Sequence, residues 1–280
     1  MLYWNQFIGG LVNAFTKLDK MPGDRLVFYP AFSVLGAFDG RQKIKEENTM
    51  EKTADFTEGR ILSRLLRFAL PVLAALFLQA MYGAVDLMVV GQFGAPTDVS
   101  AVSTGSQIMQ TVTSLITGLA MGITILVGQK IGEKRPEQAG DVIGSGICLF
   151  GVLAAVLTVL MILGAGFLAG LMHAPDEAFS QTVDYIRICS AGAVFIIAYN
   201  VLGSIFRGIG DSRMPLFTVA AACVFNIGGD LLLVAGFHMG AAGAALATVA
   251  AQAASVLLSL AVIRRRTLPF TIGKKTLRFE

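Results

Sequence analysis

Six long apolar stretches, almost free of charged side chains, follow one another between residues 68 and 263. A helix of about 20 apolar residues crosses the hydrocarbon core of a bilayer, and lipid requires each spanning segment to satisfy its own backbone hydrogen bonds. The stretches therefore predict six transmembrane helices. Their predicted ranges are residues 68–90, 99–127, 142–171, 185–206, 215–236 and 241–263.

The composition supports an all-α integral membrane fold. Of the 280 residues, 55% are hydrophobic and 15% are charged, whereas a soluble domain carries about 25% charged residues. The alternating ten-residue segments of a membrane β-barrel are not visible. The net charge of +3 is too small to indicate a nucleic-acid partner, and no basic stripe with interleaved aromatic residues is present. We therefore expect a six-helix bundle whose surroundings are the lipid bilayer.

The distribution of lysine and arginine predicts the orientation of this bundle. From Met50 onward, the basic residues flank one end of the predicted helices, and Arg187 alone lies in a loop on the other side. Because cytoplasmic loops carry an excess of Lys and Arg, we expect a multi-pass protein of the inner (cytoplasmic) membrane with both termini cytoplasmic. The flanking residues are Lys52, Arg60, Arg64, Arg67, Lys130, Lys134, Arg135, Arg207, Arg213 and the basic residues within 264–278.

The two ends of the chain differ from the apolar middle. Residues 1–57 contain no apolar run of spanning length, and we expect an N-terminal extension that is poorly ordered, or spurious before Met50. A cytoplasmic domain in this segment is the alternative. The six-helix transmembrane lobe is expected to occupy residues 58–266, and residues 267–280 then form a cytoplasmic tail or a truncated interlobe linker.

Two acids, Asp86 and Asp230, are the ionisable residues within the apolar interiors of the predicted spans. A charge at the bilayer centre costs at least about 2.5 to 3.5 kcal/mol, so such residues usually face a cavity and serve a function. Both acids lie roughly 8 to 9 Å below the outer end of their spans at about 1.5 Å per residue. We expect them to share protons or cations; the alternative is a pair of neutral, hydrogen-bonded structural acids.

Oxygen-bearing side chains accompany these acids on five spans: Tyr82, Gln107, Asn200, Asn226 and Thr248. Asn226 precedes Asp230 by four residues and so shares its helix face, whereas Asn200 is expected about 10 Å deeper. Carboxylate, amide and hydroxyl oxygens suit Na⁺ as well as protons, although any one of these residues alone is typical of helix packing. A further candidate is Pro71, which either bends the first helix from its interior or lies harmlessly in its first turn.

No sequence signature indicates an enzyme. The nucleophile elbow, the phosphate-binding loop and the zinc-binding His-Glu-x-x-His pattern are absent from the sequence. The three cysteines, Cys148, Cys189 and Cys223, lie apart in apolar stretches and show no metal-ligand spacing. We therefore expect no catalytic residues and no cofactor.

Five short motifs resemble the MATE (multidrug and toxic compound extrusion) transporters, specifically the N-terminal lobe of the DinF-like branch. They are ALP at residues 69–71, VDLMVVG at 85–91, GQKIG at 128–132, RGIGDSRMP at 207–215 and NIGGD at 226–230. The resemblance implies an antiporter that exports cationic, amphipathic drugs in exchange for H⁺ or Na⁺. The ion-coupling residues of the branch correspond to Asp86, Asn200, Asn226, Asp230 and Thr248, with Na⁺ a candidate at all but Asn200. Its helix-bending proline corresponds to Pro71, and Tyr82 and Gln107 are candidate cavity-lining residues.

The chain departs from this family in length. Family members have twelve helices in two six-helix lobes with the substrate cavity between them, whereas only one lobe is visible here. Because transporter sites lie at such repeat interfaces, we expect a second lobe or a second copy as partner. The alternatives are a truncated or accessory membrane subunit without transport of its own, and a flippase for a lipid precursor.

Overall fold

The computed structural model describes residues 61–265. The expectations for residues 1–57 and 267–280 lie outside these described residues. Within them the chain is helical and contains no strand, so the predicted all-α fold is confirmed. The elements in chain order are α1 Ile61–Phe93, α2 Pro96–Gly132, α3 Pro136–Leu171, a 3₁₀ turn at Asp176–Ala178, α4 Phe179–Ala191, α5 Ala193–Gly208, α6 Arg213–Asp230, a π-helical segment Leu231–Gly236, and α7 Gly240–Arg265.

The helices correspond to the six predicted spans, with one correction at the fourth. Five helical segments are each long and apolar enough to cross a membrane, and α4 with α5, taken together as one bent span, passes the same test of length and composition. The sequence predicted one span beginning at residue 185. Instead, the helix begins at Phe179 and breaks at Gly192 with a bend of 55°, so Arg187 lies on α4 rather than in a loop. Glycine weakens the helix at the break, and Gly192 has no room for a side chain because it packs against Val249 of α7.

Prolines lie at several helix starts and inside α1. Pro96 and Pro136 open α2 and α3, and Pro215 lies in the first turn of α6, where the missing N–H has no partner to lose. Pro71 instead lies inside α1. Its ring removes the hydrogen bond to the carbonyl four residues earlier, which is that of Arg67. The structure thus selects the interior alternative for Pro71.

The surface of the bundle is apolar, as lipid requires. Leu163 and Phe167 on α3 are 79% and 74% exposed, and Leu70 and Met88 on α1 are 71% and 72% exposed. An exposed apolar surface of this kind would drive a water-soluble chain to aggregate or associate. These exposures agree with a multi-pass membrane protein, whose helices turn apolar side chains to lipid.

The helices that carry the two acids are held at close range by small residues. A β-carbon on Gly229 of α6 would lie 2.9 Å from the β-carbon of Ala247 on α7, so the two backbones meet without intervening side chains. Small residues permit this approach in membranes, where van der Waals packing drives helix association. Elsewhere, α2, α3 and α5 share an apolar core around Ile116, Ile143 and Ile197. The close α6–α7 contact places the polar residues of α6 against those of α7.

We call the end of the bundle that carries Lys130, Arg207 and Arg264 the basic end. The opposite end carries the α1–α2 turn and the turn between the π-helical segment and α7. Because consecutive spans are antiparallel, α1 and α6 run from the basic end to the opposite end, whereas α7 runs back.

Candidate ion-binding site

Two carboxyl groups face each other inside the bundle. Asp86 of α1 is 5% exposed and Asp230, the last residue of α6, is 0% exposed. The two side chains lie close enough to interact directly. Among the described residues, no lysine, arginine or histidine pairs with either carboxyl. Two ionised carboxylates so placed repel each other, whereas a proton or a monovalent cation between them removes the repulsion.

An amide and a hydroxyl join α6 to α7 beside these acids. Asn226 lies one turn before Asp230 and is 1% exposed. Its Nδ2 donates a hydrogen bond to Thr248 Oγ1 at 3.4 Å. The bond uses the donor end of the Asn226 amide and leaves its carbonyl oxygen, which is buried, without a partner among the described residues.

The polar residues are arranged in three pairs, each four residues apart on one helix: Tyr82 and Asp86, Asn226 and Asp230, and Thr248 and Gln252. Residues at this spacing share a helix face and lie about 6 Å apart along the axis. The hydrogen bond between Asn226 and Thr248 joins the α6 pair to the α7 pair, and the contact between Tyr82 and Gln252 joins the α1 pair to the α7 pair.

Two tyrosines border the site. The hydroxyl of Tyr82 borders the side chain of Gln252, and Tyr82 also lies near Asp86. Tyr185 of α4 lies near Cys189 and Asp86 and is 3% exposed. Its ring packs against Gly105 of α2, where a β-carbon would overlap the ring. Aromatic rings from α1 and α4 therefore border the site.

The site contains more hydrogen-bond acceptors than donors. Apart from the interaction between the two carboxyl groups, five buried oxygens in it have no hydrogen-bond partner among the described residues: Asp86 Oδ1, both carboxyl oxygens of Asp230, Asn226 Oδ1 and Gln252 Oε1. An unsatisfied buried polar group costs about 1–3 kcal/mol, and buried polar atoms in native proteins are almost always paired. Such a concentration of unpaired oxygens is suited to a positively charged guest.

The backbone changes its helix type immediately after Asp230. The α-helix ends at this residue, and the π-helical segment Leu231–Gly236 follows. Short π-helical insertions are rare and occur frequently at functional sites. The irregular turn therefore adjoins the acid that has both oxygens unpaired.

The remaining predicted site residues are Asn200, Gln107 and Pro71. Asn200 of α5 accepts a hydrogen bond from Thr117 Oγ1 at 3.0 Å and donates from Nδ2 to the Ile196 carbonyl at 2.8 Å. Its amide is thus engaged with α2 and with its own helix, in agreement with the depth mismatch seen in the sequence. Gln107 is exposed on α2, and Pro71 lies fifteen residues from Asp86 along α1.

Sequence reasoning missed three residues. Gln252 follows Thr248 by one turn, and this spacing was the available signal. Tyr185 stands at the predicted edge of the fourth span, and its contact with Gly105 has no sequence signature.

Asp98 joins two helix starts: its Oδ2 accepts the Ala95 N–H and its Oδ1 accepts the Ala241 N–H, each at 3.0 Å.

Comparison with known proteins points to one family and one fold. The family model described as MatE matches residues 71–232, more than half of the chain. The probable multidrug resistance protein YpnP of Bacillus subtilis is 28% identical over 224 residues, covering 80% of this chain and 50% of that protein. The DNA damage-inducible protein F of Escherichia coli is 28% identical over 213 residues, covering 72% of this chain and 44% of that protein.

A solved structure has the same fold. A MOP superfamily transporter from Pyrococcus furiosus matches with a TM-score of 0.72 at 24% identity, covering 81% of this chain and 52% of that chain. The chain thus spans about half the length of the curated relatives and of the solved transporter that it matches. One lobe of a two-lobe architecture accounts for this coverage.

Proposed function

Because the chain belongs to the MatE family, we propose that it is one lobe of a secondary antiporter that exports cationic, amphipathic drugs in exchange for H⁺ or Na⁺. The observation that carries this proposal is the buried pair of Asp86 and Asp230, which has no basic partner among the described residues. Relatives are described as multidrug resistance and multidrug export proteins. The acid pair supplies what such export requires, a place where a coupling ion is bound and released.

Binding of the ion is coupled to the shape of the lobe through α1. Asp86 is carried by α1 and Asp230 by α6, so a cation or proton between them draws the two helices together. Pro71 interrupts the hydrogen bonding of α1 roughly 22 Å away, at about 1.5 Å per residue, and permits a bend there. Ion binding thereby favours one form of α1 over the other.

The energies involved are of the required size. Shifting an equilibrium from mostly one form to mostly the other takes about 5.5 kcal/mol of differential binding. Desolvation and repulsion of buried carboxylates amount to several kcal/mol per ion in proteins. The free energy of placing one ion at Asp86 and Asp230 is therefore of the same order as the shift that α1 requires.

Drug binding requires a second six-helix lobe. Substrate sites of secondary transporters lie between repeats, and this chain covers about half of its relatives. We propose that a separate lobe or a second copy of the chain provides the other wall. We further propose residence in the inner membrane with the basic end cytoplasmic, because Lys and Arg concentrate there.

Efflux in proteoliposomes tests the proposal. The chain is assayed alone and fused to the C-terminal lobe of a relative, with a fluorescent cationic drug inside and an imposed H⁺ or Na⁺ gradient. Asp86→Asn and Asp230→Asn should each abolish gradient-driven efflux by the fusion, and Asp184→Asn, at an exposed position of α4, should not. Transport by both site variants at the parental rate would make Asp86 and Asp230 structural acids.

The assay also separates two further roles. Lack of efflux by every form, with folding intact, would favour an accessory subunit without transport. The observation that favours this alternative is that the chain covers about half the length of its relatives. Movement of a labelled lipid precursor in place of the drug would favour a flippase.

A further inference from the structure

A row of polar side chains lies on the outer surface of α2, in the middle of a span. Gln107, Gln110 and Ser114 are exposed, and their spacing of three and four residues puts them on one face of the helix. Ser114 is the central residue of the helix Pro96–Gly132, and the two glutamines lie within about 11 Å of it along the axis. The row therefore stands at the depth of the hydrocarbon core, which is about 30 Å thick.

Lipid is a poor environment for this face. The side chains of Gln107, Gln110 and Ser114 form no hydrogen bond with any residue in the described part of the chain, and hydrocarbon offers an amide neither a donor nor an acceptor. The exposed face of α3 carries branched apolar side chains instead, among them Val156 and Leu163. The α3 face suits lipid, so the α2 face is expected to meet something other than lipid.

Toward the basic end, the same face of α2 continues as glycine. Gly118 and Gly122 follow Ser114 at intervals of four residues, and a β-carbon on either glycine would meet nothing within 4 Å. Small residues at this spacing let a neighbouring helix approach closely in a membrane, and polar side chains beside them form hydrogen bonds across the contact. Leu115 and Leu119 are exposed next to the row and supply an apolar flank. The face thus combines the features of a contact between two membrane helices.

We propose that this face of α2, from Gln107 to Gly122, is the contact with a second copy of the chain, in a dimer whose two-fold axis runs along the membrane normal. This inference rests on the proposed function, which requires a second six-helix lobe, and goes further by naming the occupant and the face. Both copies carry the same basic end, so the excess of Lys and Arg orients them in the same direction. A two-fold contact then places residues near the axis opposite their own counterparts.

The face is chemically complementary to itself. An amide both donates and accepts hydrogen bonds, so Gln110 can pair with Gln110 of the second copy in both directions. The sequence has no Asp, Glu, Lys or Arg between residues 99 and 129, so two such faces meet without repulsion between like charges. The chain also spans about half the length of the relatives that it matches. Two copies therefore restore the size of one relative.

Disulfide cross-linking in native membranes tests the contact. Ser114→Cys places a thiol near the proposed axis, and Val156→Cys is the matched control at an exposed, mid-span position of α3. The membranes are treated with copper phenanthroline, and dimers are detected on a non-reducing gel, with the parent chain as background for its own cysteines. We expect Ser114→Cys to be mostly cross-linked and Val156→Cys to stay at the background, because a disulfide requires β-carbons within about 4.5 Å of each other.

Two leucine variants test the close approach of the helices. Gly122→Leu fills the open space on α2, and Gly151→Leu adds the same side chain at an exposed glycine of α3 with equally open surroundings. Gly122→Leu should abolish most cross-linking of Ser114→Cys and should raise the dissociation constant of the dimer, measured by energy transfer between labelled copies in liposomes, by about tenfold or more. Gly151→Leu should change neither. Circular dichroism checks that both variants keep their helical content.

Each outcome has one meaning. Equal cross-linking of Ser114→Cys and Val156→Cys would indicate random collision and overturn the proposal, and so would cross-linking that Gly122→Leu leaves unchanged. Cross-linking of Ser114→Cys to a co-expressed C-terminal lobe of a relative, with none between copies, would assign the face to a different lobe and overturn the dimer. Absence of the dimer together with gradient-driven efflux by the two-lobe fusion would overturn this inference and leave the proposed function standing. Conversely, loss of efflux in Asp86→Asn with the cross-link intact would concern the ion-binding site alone.

Discussion

The ring of Tyr185 packs on Gly105 at the position where a β-carbon of that glycine would stand. This contact joins α4 to α2 beside the candidate ion-binding site, since Tyr185 also lies near Asp86. Because the ring has 3% exposure and close-packed neighbours, it has no free space into which to move.

Replacing Gly105 with alanine should therefore be costly. Gly105→Ala forces the Tyr185 ring aside, and overpacking of a well-packed core costs about 1–3 kcal/mol. We expect a lower midpoint of thermal unfolding in detergent. Gly118→Ala is the control on the same helix, because a β-carbon there meets nothing within 4 Å, and it should be neutral or stabilising. Equal unfolding midpoints for the two variants would contradict the contact.

Removing the carboxyl group of Asp98 should loosen two helix starts together. Its two oxygens accept the backbone N–H groups of Ala95 and Ala241, and loss of a capping side chain costs about 0.5–2 kcal/mol. In Asp98→Ala we expect faster hydrogen exchange at both amides, and in Asp98→Asn a smaller effect, since one acceptor oxygen remains. The exposed Asp184→Ala serves as control. Faster exchange at Ala95 alone would mean that Asp98 does not tie α7 to α2.

Replacing Pro71 should stiffen α1. In Pro71→Ala the new N–H can bond to the carbonyl of Arg67, and an interior proline costs a helix about 3 kcal/mol. We expect slower hydrogen exchange in residues 67–75 and slower drug efflux in the two-lobe fusion, because bending is suppressed. Pro215→Ala, in the first turn of α6, should change neither. Unchanged exchange in Pro71→Ala would remove Pro71 from the mechanism.

Cysteine labelling in intact cells tests the orientation. Met239→Cys lies at an exposed turn of the end opposite the basic end, and an impermeant maleimide added outside should reach it. Lys134→Cys at the basic end should react only after the membrane is permeabilised. The parent chain gives the background, since its cysteines are buried or half-buried. Labelling of Lys134→Cys in intact cells would invert the topology.

The amino-acid sequence was sufficient for the architecture, and it singled out Asp86 and Asp230 as candidates. The length of an apolar stretch decides whether it spans a membrane, because a single segment in lipid satisfies its own backbone hydrogen bonds only as a helix. The all-α fold is confirmed by the structure, and the resemblance to MATE transporters is confirmed by the family match over residues 71–232. Asp86 and Asp230 were visible because a charge in an apolar span is costly wherever the helix packs.

Only the tertiary structure decided which residues meet between neighbouring helices. A sequence gives each residue a helix face, but it does not specify which neighbouring helix that face meets or at what level. Packing thus paired Asn200 with Thr117 rather than with an acid, and set Gln252 beside Tyr82. Packing also explains the break of the fourth span at Gly192. There α7 approaches so closely that Val249 leaves no room for a side chain.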